Sequence, residues 1–328
     1  MPKNAQLLLL DTRQVAALLN HDRVIDAVAD AFKLHSASAG RIFPVVREGL
    51  DTGAVFGIKS GDIGSRGVLG FKAAGFWPKN RALGAEPHQA TILLIDPESG
   101  RPHCVIDGNI VTTLRTGAAG ALGLRLFARP DSRTLCIFGS GVQAQIQTRF
   151  ALRVLPTLRH VIHVSRDGRP SADFEAALAA DLKTANATLA HSADADAAVT
   201  GSDIVITATP GRKALFNAEA VRPGTHINAV GADTQGKREL PDGLLARTRI
   251  FVDDVTQARQ IGECQWAPDL AVTAIGDLLT GTTTFTRHAD DITVFDMTGI
   301  ALQDLTVAHL LLQEAEATGA GTRIDWPW

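Results

Sequence analysis

Three groups of residues in this chain have types and spacings that could do chemistry. The first is a glycine turn. The apolar run Leu135-Cys136-Ile137-Phe138 ends in Gly139-Ser140-Gly141-Val142-Gln143-Ala144, and a helix-like segment follows at once. A strand, a glycine turn and a helix start make the form of a dinucleotide-binding fingerprint, here with Ala in the third small position. Gly139 permits the tight turn, Gly141 lets backbone approach a pyrophosphate, and Ala144 allows close helix–strand packing. The phosphates would sit on the free N–H groups and the positive end of the helix. The second is an acid on a loop with two glycines, Gly231-Ala232-Asp233-Thr234-Gln235-Gly236-Lys237-Arg238-Glu239, just past an apolar run. A charged surface turn is the plain alternative. The third is a set of cations among apolar or small neighbours: Arg47 after Pro44, Lys59 after Phe56-Gly57-Ile58, Lys72 within Gly70–Gly75, and Arg115 inside a small-residue helix. A buried charge without a partner is costly. One such cation is ordinarily a structural ion pair. Four together point to an anionic substrate, which Arg grips bidentately and Lys as a mobile point charge.

The elements that must position these groups fall into two textures. Residues 7–33 read as a short strand and two helical segments. Residues 41–107 are short apolar runs split by Gly and Pro, and 54–59, 67–73, 91–95 and 102–106 look like antiparallel strands. The small-residue helix 109–128 follows, and Pro130-Asp131 marks a boundary. From the glycine turn onward, strands at 160–165, 188–191, 203–208, 225–230, 249–253 and 292–295 alternate with helical patterns. That alternation implies a parallel sheet with right-handed crossovers. The fold class is therefore α/β: a Rossmann-type doubly wound parallel sheet at 129–300, beside an α+β substrate and dimerisation domain with an antiparallel sheet at 1–128. The long helix at 301–318 reads as amphipathic and as packing back on the N-terminal domain, which the segment 301–328 then joins. Ligands bind outside the carboxyl ends of such a sheet. This makes Ser165, Arg166, Asp167, Thr209, Pro210 and Val230 candidate cofactor contacts beside the glycine turn.

The whole chain narrows the classes. At 328 residues two domains are expected, and 45% apolar residues suffice for a sizeable core. A net charge of −3 with scattered Lys and Arg gives no reason to invoke nucleic acid or an anionic membrane. Cys104, Cys136 and Cys264 have no metal-like spacing and read as reduced, buried thiols. The Leu7–Leu10 run is too short for a signal sequence, and no stretch approaches the ~20 apolar residues of a membrane span. A soluble, cytoplasmic protein is expected.

Taken together, these residues resemble the ornithine cyclodeaminase/μ-crystallin family over nearly the whole chain. The landmarks are Phe43-Pro-Val-Val-Arg47, Gly70-Phe-Lys72, the stretch from Asp107 through Arg115-Thr-Gly-Ala-Ala, the glycine turn, Gly231-Ala-Asp233-Thr-Gln-Gly-Lys237-Arg-Glu239-Leu, and Val294 through Asp304. The resemblance implies an NAD(P)-dependent enzyme acting on an α-amino or α-imino acid, working as a homodimer and without a metal. It implies that Arg47, Lys72 and Arg115 hold the substrate carboxylate. It also implies that Asp233 is the acid/base group near the reacting nitrogen, with Lys72 beside it in catalysis, and that Thr298 and Gly299 lie by the nicotinamide.

Where the cyclodeaminase branch needs an acid for a distal amine, this strand offers Lys59. Lys59, Ser60 and His88 look like a second anion-binding cluster, which suits a dicarboxylic imine, and iminosuccinate reduced to L-aspartate is the smallest sensible one. The motif set also looks like the iminosuccinate reductases of this family. Other readings are ornithine cyclodeaminase, another ketimine reductase or alanine dehydrogenase, and a non-catalytic, crystallin-like binding protein. At the end of the second Rossmann strand, Arg166 could receive a 2′-phosphate and Asp167 could reach a ribose hydroxyl. NAD(H) is favoured by the resemblance, and NADP(H) stays open.

Overall fold

The computed structural model describes residues 5–327. Residues 1–4 and 328, which the two sequence-defined domains take in, lie outside the described residues. The chain divides into two compact units: Met1–Arg115 together with Ile300–Trp328, and Thr116–Gly299.

The first unit opens with β1 (Ala5–Leu10), α1 (Thr12–Leu18) and α2 (His21–Ser36). Asp11 starts α1 through a capping box with Gln14, and the Asn20 side chain caps α2. There follow β2 (Arg41–Ile42), β3 (Val46–Gly49), β4 (Val55–Ile63), β5 (Val68–Phe76), β6 (His88–Ile95) and β7 (Pro102–Asp107). From β3 to β7 each strand pairs antiparallel with the next. Side chains alternate across a strand, so the sheet has two different faces. Ile92, Leu94, Cys104 and Ile106 on one face are buried, whereas Ile58, Phe71, Leu93 and Val105 on the other are partly exposed. Next comes α3 (Gly108–Phe127), and the boundary between the units falls inside it, after Arg115.

The second unit alternates as its sequence dictates: β8 (Thr134–Phe138), α4 (Val142–Val154), β9 (His160–Val164), α5 (Ala172–Ala185), β10 (Thr188–His191), α6 (Ala195–Thr200), β11 (Ile204–Thr207), β12 (His226–Ala229), β13 (Arg249–Val252), α7 (Val255–Ile261), β14 (Val272–Ala274), α8 (Ile275–Thr280) and β15 (Thr293–Asp296). Among the described residues these form one eight-stranded sheet in the order β10-β9-β8-β11-β12-β15-β13-β14. All of its pairings are parallel. The strand order reverses at β8, with β9 on one side and β11 on the other, which is the topological switch point of a Rossmann sheet. Three-residue β14 is too short to show a period in sequence.

The chain then returns to the first unit through α9 (Ala301–Thr318) and β16 (Thr322–Trp326). β16 pairs antiparallel with β1, and β1 pairs parallel with β7, so the first sheet is mixed at this edge. Its order is β16-β1-β7-β6-β5-β4-β2, with β3 on β4. The final helix packs on α2 and on β4, β5 and β6. Residues 301–308 are all buried, so α9 is a core helix over its first half and not the amphipathic one its sequence suggested.

The small residues of α3 permit close packing within the second unit. A Cβ on Gly123 would lie 2.6 Å from Phe295 Cδ1 and 2.8 Å from Asn228 Oδ1. On an exposed helix, Gly→Ala gains about 1 kcal/mol. Here Gly123→Ala is expected to lower the urea midpoint by the equivalent of ~1–3 kcal/mol, because both neighbours sit in buried strands and overpacking wins. A raised midpoint would show that they give way.

Candidate active site

In the first unit three buried charges converge. Lys72 on β5 and Asp304 in the first turn of α9 are 4% and 1% exposed. Lys72 Nζ donates to Asp304 Oδ1 at 2.8 Å and to Thr112 Oγ1 at 3.2 Å. From α3, Arg115 Nε approaches the same oxygen at 3.3 Å and Nη1 donates to Gln303 Oε1 at 3.2 Å. Asp304 Oδ2 is buried with no hydrogen-bond partner among the described residues. One carboxylate thus stands between two cations, and the group keeps a surplus positive charge. Burial pushes the Lys72 ammonium down to about 7, against the pull of Asp304 and with the push of Arg115. Burial raises the Asp304 carboxyl, but Lys72 and Arg115 outweigh it and hold the group below its ordinary value.

Strand register decides which sequence-predicted residues join this group. Lys59 on β4 lies directly opposite Lys72, and Arg47 on β3 lies opposite Gly57, two residues from Lys59. Both side chains therefore leave the sheet on the Lys72 face. His88 on β6 lies opposite Phe76 and shares that face. Its Nδ1 is 3.1 Å from the Asn109 side-chain amide oxygen. Burial, then the charge of Lys72, lowers its pKa, so it adds no full charge to the cations on this face. Ser60 sits opposite Phe71, so it leaves the sheet on the open face, away from Lys59 and Lys72. The expected second anion cluster reduces to Lys59 with Arg47.

In the second unit, Gly139 adopts φ +102°, and a Cβ there would lie 2.6 Å from Ala208 O, so the turn requires glycine. Gly141 begins α4 with no side-chain cap, and nothing lies within 4 Å of where its Cβ would be. Ser140, Gly141 and Val142 are exposed, Gln143 is partly so, and Ala144 is fully buried against the sheet. An uncapped helix start facing open space fits a dinucleotide pyrophosphate. After β9, Asp167 is turned into its own loop, where Oδ1 accepts from Ser165 Oγ at 3.1 Å and Arg169 N at 3.2 Å, while Arg166 is exposed. Thr209 and Pro210 follow β11, and Val230 follows β12. Asp233 Oδ1 accepts from Lys237 Nζ at 2.6 Å and Thr234 Oγ1 at 3.0 Å. Thr298 Oγ1 donates to Asp253 Oδ1 at 2.7 Å, and Gly299 N donates to the other oxygen of Asp253.

Sequence reasoning passed over Asp304, Gln303, Thr112 and Asn109 as site residues. Asp304 carries a signal that could have found it: an acid among mostly apolar neighbours in the first turn of a helix needs a cation partner.

The ornithine cyclodeaminase/mu-crystallin family model matches residues 6–319. The iminosuccinate reductase of Paracoccus denitrificans (strain Pd 1222) is 32% identical over 326 residues, 97% of this chain and 100% of that one. A crystal structure of the Paracoccus denitrificans iminosuccinate reductase in complex with NAD+ matches with a TM-score of 0.88 at 32% identity, covering 98% of this chain and 100% of the other. An archaeal alanine dehydrogenase, described as a dimer with bound NAD, matches with a TM-score of 0.89 at 30% identity and the same coverage.

The buried charges give the first unit a pH signature that needs no ligand. Folded Lys72 titrates at about 7, below its ordinary 10.5. Between those values the unfolded chain binds more protons, so this group's contribution to stability rises with pH. Asp304→Asn strips the counter-charge and is expected to cost ~3–5 kcal/mol at pH 6, where both cations are charged. The loss should be smaller at pH 9, where Lys72 is neutral. Urea midpoints of both proteins at the two pH values test this, and an equal loss at both would refute it.

Proposed function

The chain belongs to the ornithine cyclodeaminase/mu-crystallin family, and we propose that it reduces an α-imino acid to an L-amino acid with NAD(P)H, iminosuccinate to L-aspartate. The observation that carries the substrate is the placement of Lys59 opposite Lys72 on one face of the sheet. Asp304 offsets one of Lys72 and Arg115, and Lys59 and Arg47 bring further cations to the same face, which suits a substrate with two carboxylates. The NAD+ complex of the Paracoccus denitrificans reductase and the exposed, uncapped glycine turn support the cofactor.

A bound reduced nicotinamide supplies the hydride that the imine carbon receives. The residues of the chain do the rest. Lys72 and Arg115 hold the α-carboxylate and fix the position of the adjacent carbon. Lys59 holds the distal carboxylate and so selects the dianion. Asp233 favours the iminium over the neutral imine and moves a proton at the nitrogen. Lys237, which holds Asp233 in the structure, balances its charge.

The chain works as a homodimer on this reading. The open face of the first sheet leaves Ile58, Phe71, Leu93 and Val105 partly exposed, which suits a second copy, and the archaeal alanine dehydrogenase is described as a dimer. The cytoplasm suits three buried thiols without a disulfide. No helix among the described residues is long and apolar enough to cross a membrane.

The deciding experiment is a screen of NADH and NADPH oxidation with oxaloacetate, pyruvate and cyclic imines, each with and without ammonia. Oxaloacetate with ammonia is expected to give the highest kcat/KM, and proline formed from ornithine with catalytic NAD would overturn the reading. Lys59→Ala should raise KM for the dicarboxylic imine by ~30-fold, about 2 kcal/mol, and leave KM for a monocarboxylic one nearly unchanged. Equal effects would remove the argument. Because Lys72 must be protonated to hold an anion, the Ki of an unreactive dicarboxylate such as succinate should rise about tenfold per pH unit above about 7. A flat Ki from pH 7 to 9 would show that deprotonation of Lys72 does not govern anion binding in this range.

A further inference from the structure

Glu239 is fully buried, and burial raises its carboxyl above the ordinary value against hydrogen bonds from Thr209, Thr207 and Gly231 that lower it. Oε1 accepts from Thr209 N and from Thr209 Oγ1, each at 2.7 Å, and Oε2 accepts from Gly231 N at 2.8 Å. Thr209 lies in the loop after β11, and Gly231 opens the loop after β12. One carboxylate therefore ties the two loops together. It also closes the second loop on itself, since Gly231 and Glu239 are the two ends of the segment that carries Asp233. The approach is open only to glycine at 231, where a Cβ would sit 2.3 Å from Thr209 O and 2.5 Å from Glu239 Oε2.

A short 3-10 turn, Glu263–Trp266, grips the same segment from its other side. Glu263 Oε1 accepts from Glu239 N at 2.7 Å, Gln265 Oε1 accepts from Gly236 N at 2.7 Å, and Trp266 Nε1 donates to Lys237 O at 3.0 Å. Asp296 at the end of β15 anchors this turn by accepting from Cys264 N at 2.9 Å. Burial, with the charges of Asp296 and Glu239 nearby, pushes the Glu263 carboxyl up to about 8. At neutral pH Glu263 is thus protonated and adds no second charge beside Glu239.

A carboxyl in such a place is costly unless its acceptors are used, and here both oxygens meet donors. An amide in its place would turn an NH2 toward one of the N–H groups. We propose that Glu239 is a positioning residue for the reaction, whose carboxylate fixes the loop carrying Asp233 against the Thr209-Pro210 loop and so sets where Asp233 can exchange a proton. The inference rests on the reading of Asp233 as the acid/base group.

The test uses the full-length enzyme with Glu239→Gln, Asp233→Asn and the double variant. Hydrogen exchange by mass spectrometry in Glu239→Gln should accelerate in peptides spanning 207–213 and 229–240, and stay unchanged in β8 and β9. NADH affinity, read by fluorescence, should be kept. kcat should fall on the order of a hundredfold, the usual result of an ångström-scale misplacement, with KM for the imino acid little changed. The double variant should be no slower than Asp233→Asn alone, because Glu239 acts through Asp233. Additive losses, or a normal kcat in Glu239→Gln, would overturn the inference while leaving the role of Asp233 standing. A normal kcat in Asp233→Asn would overturn both. Should Glu239→Gln fail to fold, Glu239→Asp draws the carboxyl back from both loops by one methylene and is expected to show the same exchange pattern and the same non-additivity with Asp233→Asn at smaller amplitude. Additivity there overturns the inference equally.

Discussion

Asp304 between Lys72 and Arg115 is the interaction on which the first unit depends. It joins residues 232 positions apart, and it fixes three elements at one point: strand β5, helix α3 at Arg115 and the first turn of α9. The helix end helps, because a carboxylate in a first turn sits in the positive end of the dipole. Even so, the balance is unfavourable. Two cations share one acid inside the protein, and one oxygen of that acid has no hydrogen-bond donor. Apolar residues of similar volume would cost less. Among the described residues the cluster keeps more positive than negative charge, which is the feature that supports the proposed binding of a substrate carboxylate there.

The second unit solves the opposite problem. At the carboxyl ends of a parallel sheet the chain turns in buried surroundings, and its N–H groups need acceptors. Here buried acids provide them: Glu239 for Thr209 and Gly231, Asp253 for Gly299, and Asp296 for Cys264. The loops are fixed by carboxylates on backbone. At the glycine turn, as at the start of α8, no side chain caps the helix, and on the proposed reading the bare donors at the glycine turn are the ones left for the cofactor's phosphates.

Much of this was legible because it rests on local rules. The turn at Gly139–Ala144 and the alternating elements after it follow from period and from glycine chemistry. The end of α9 at Thr318 follows from Gly319, which adopts φ +70°. What stayed hidden depends on partners distant in the chain. Asp304 is one of three acids in α9 until Lys72 and Arg115 are placed beside it. The burial of α9 on all sides cannot be read from α9, because α2 and three strands supply the cover. Strand β16 has no signal of its own and exists because β1 offers it an edge. Ser60 misleads for a simpler reason: adjacency in a strand means opposite faces, so a neighbour of Lys59 in sequence cannot be its neighbour on the sheet.

That geometry also narrows how the site tells one imino acid from another. On the proposed reading, with Ser60 on the far face, the side chain directly across from Lys72 is the one whose sign bears most directly on which distal group is recognised. An acid at position 59 would favour a substrate with a distal amine and would compete with Asp304 for Lys72 and Arg115. A lysine there pushes the Lys72 pKa further down, and on the proposed reading it favours a distal carboxylate. The two choices then differ in the protonation of Lys72 as well as in the group they recognise, so that on this reading one cross-strand pair couples substrate choice to working pH.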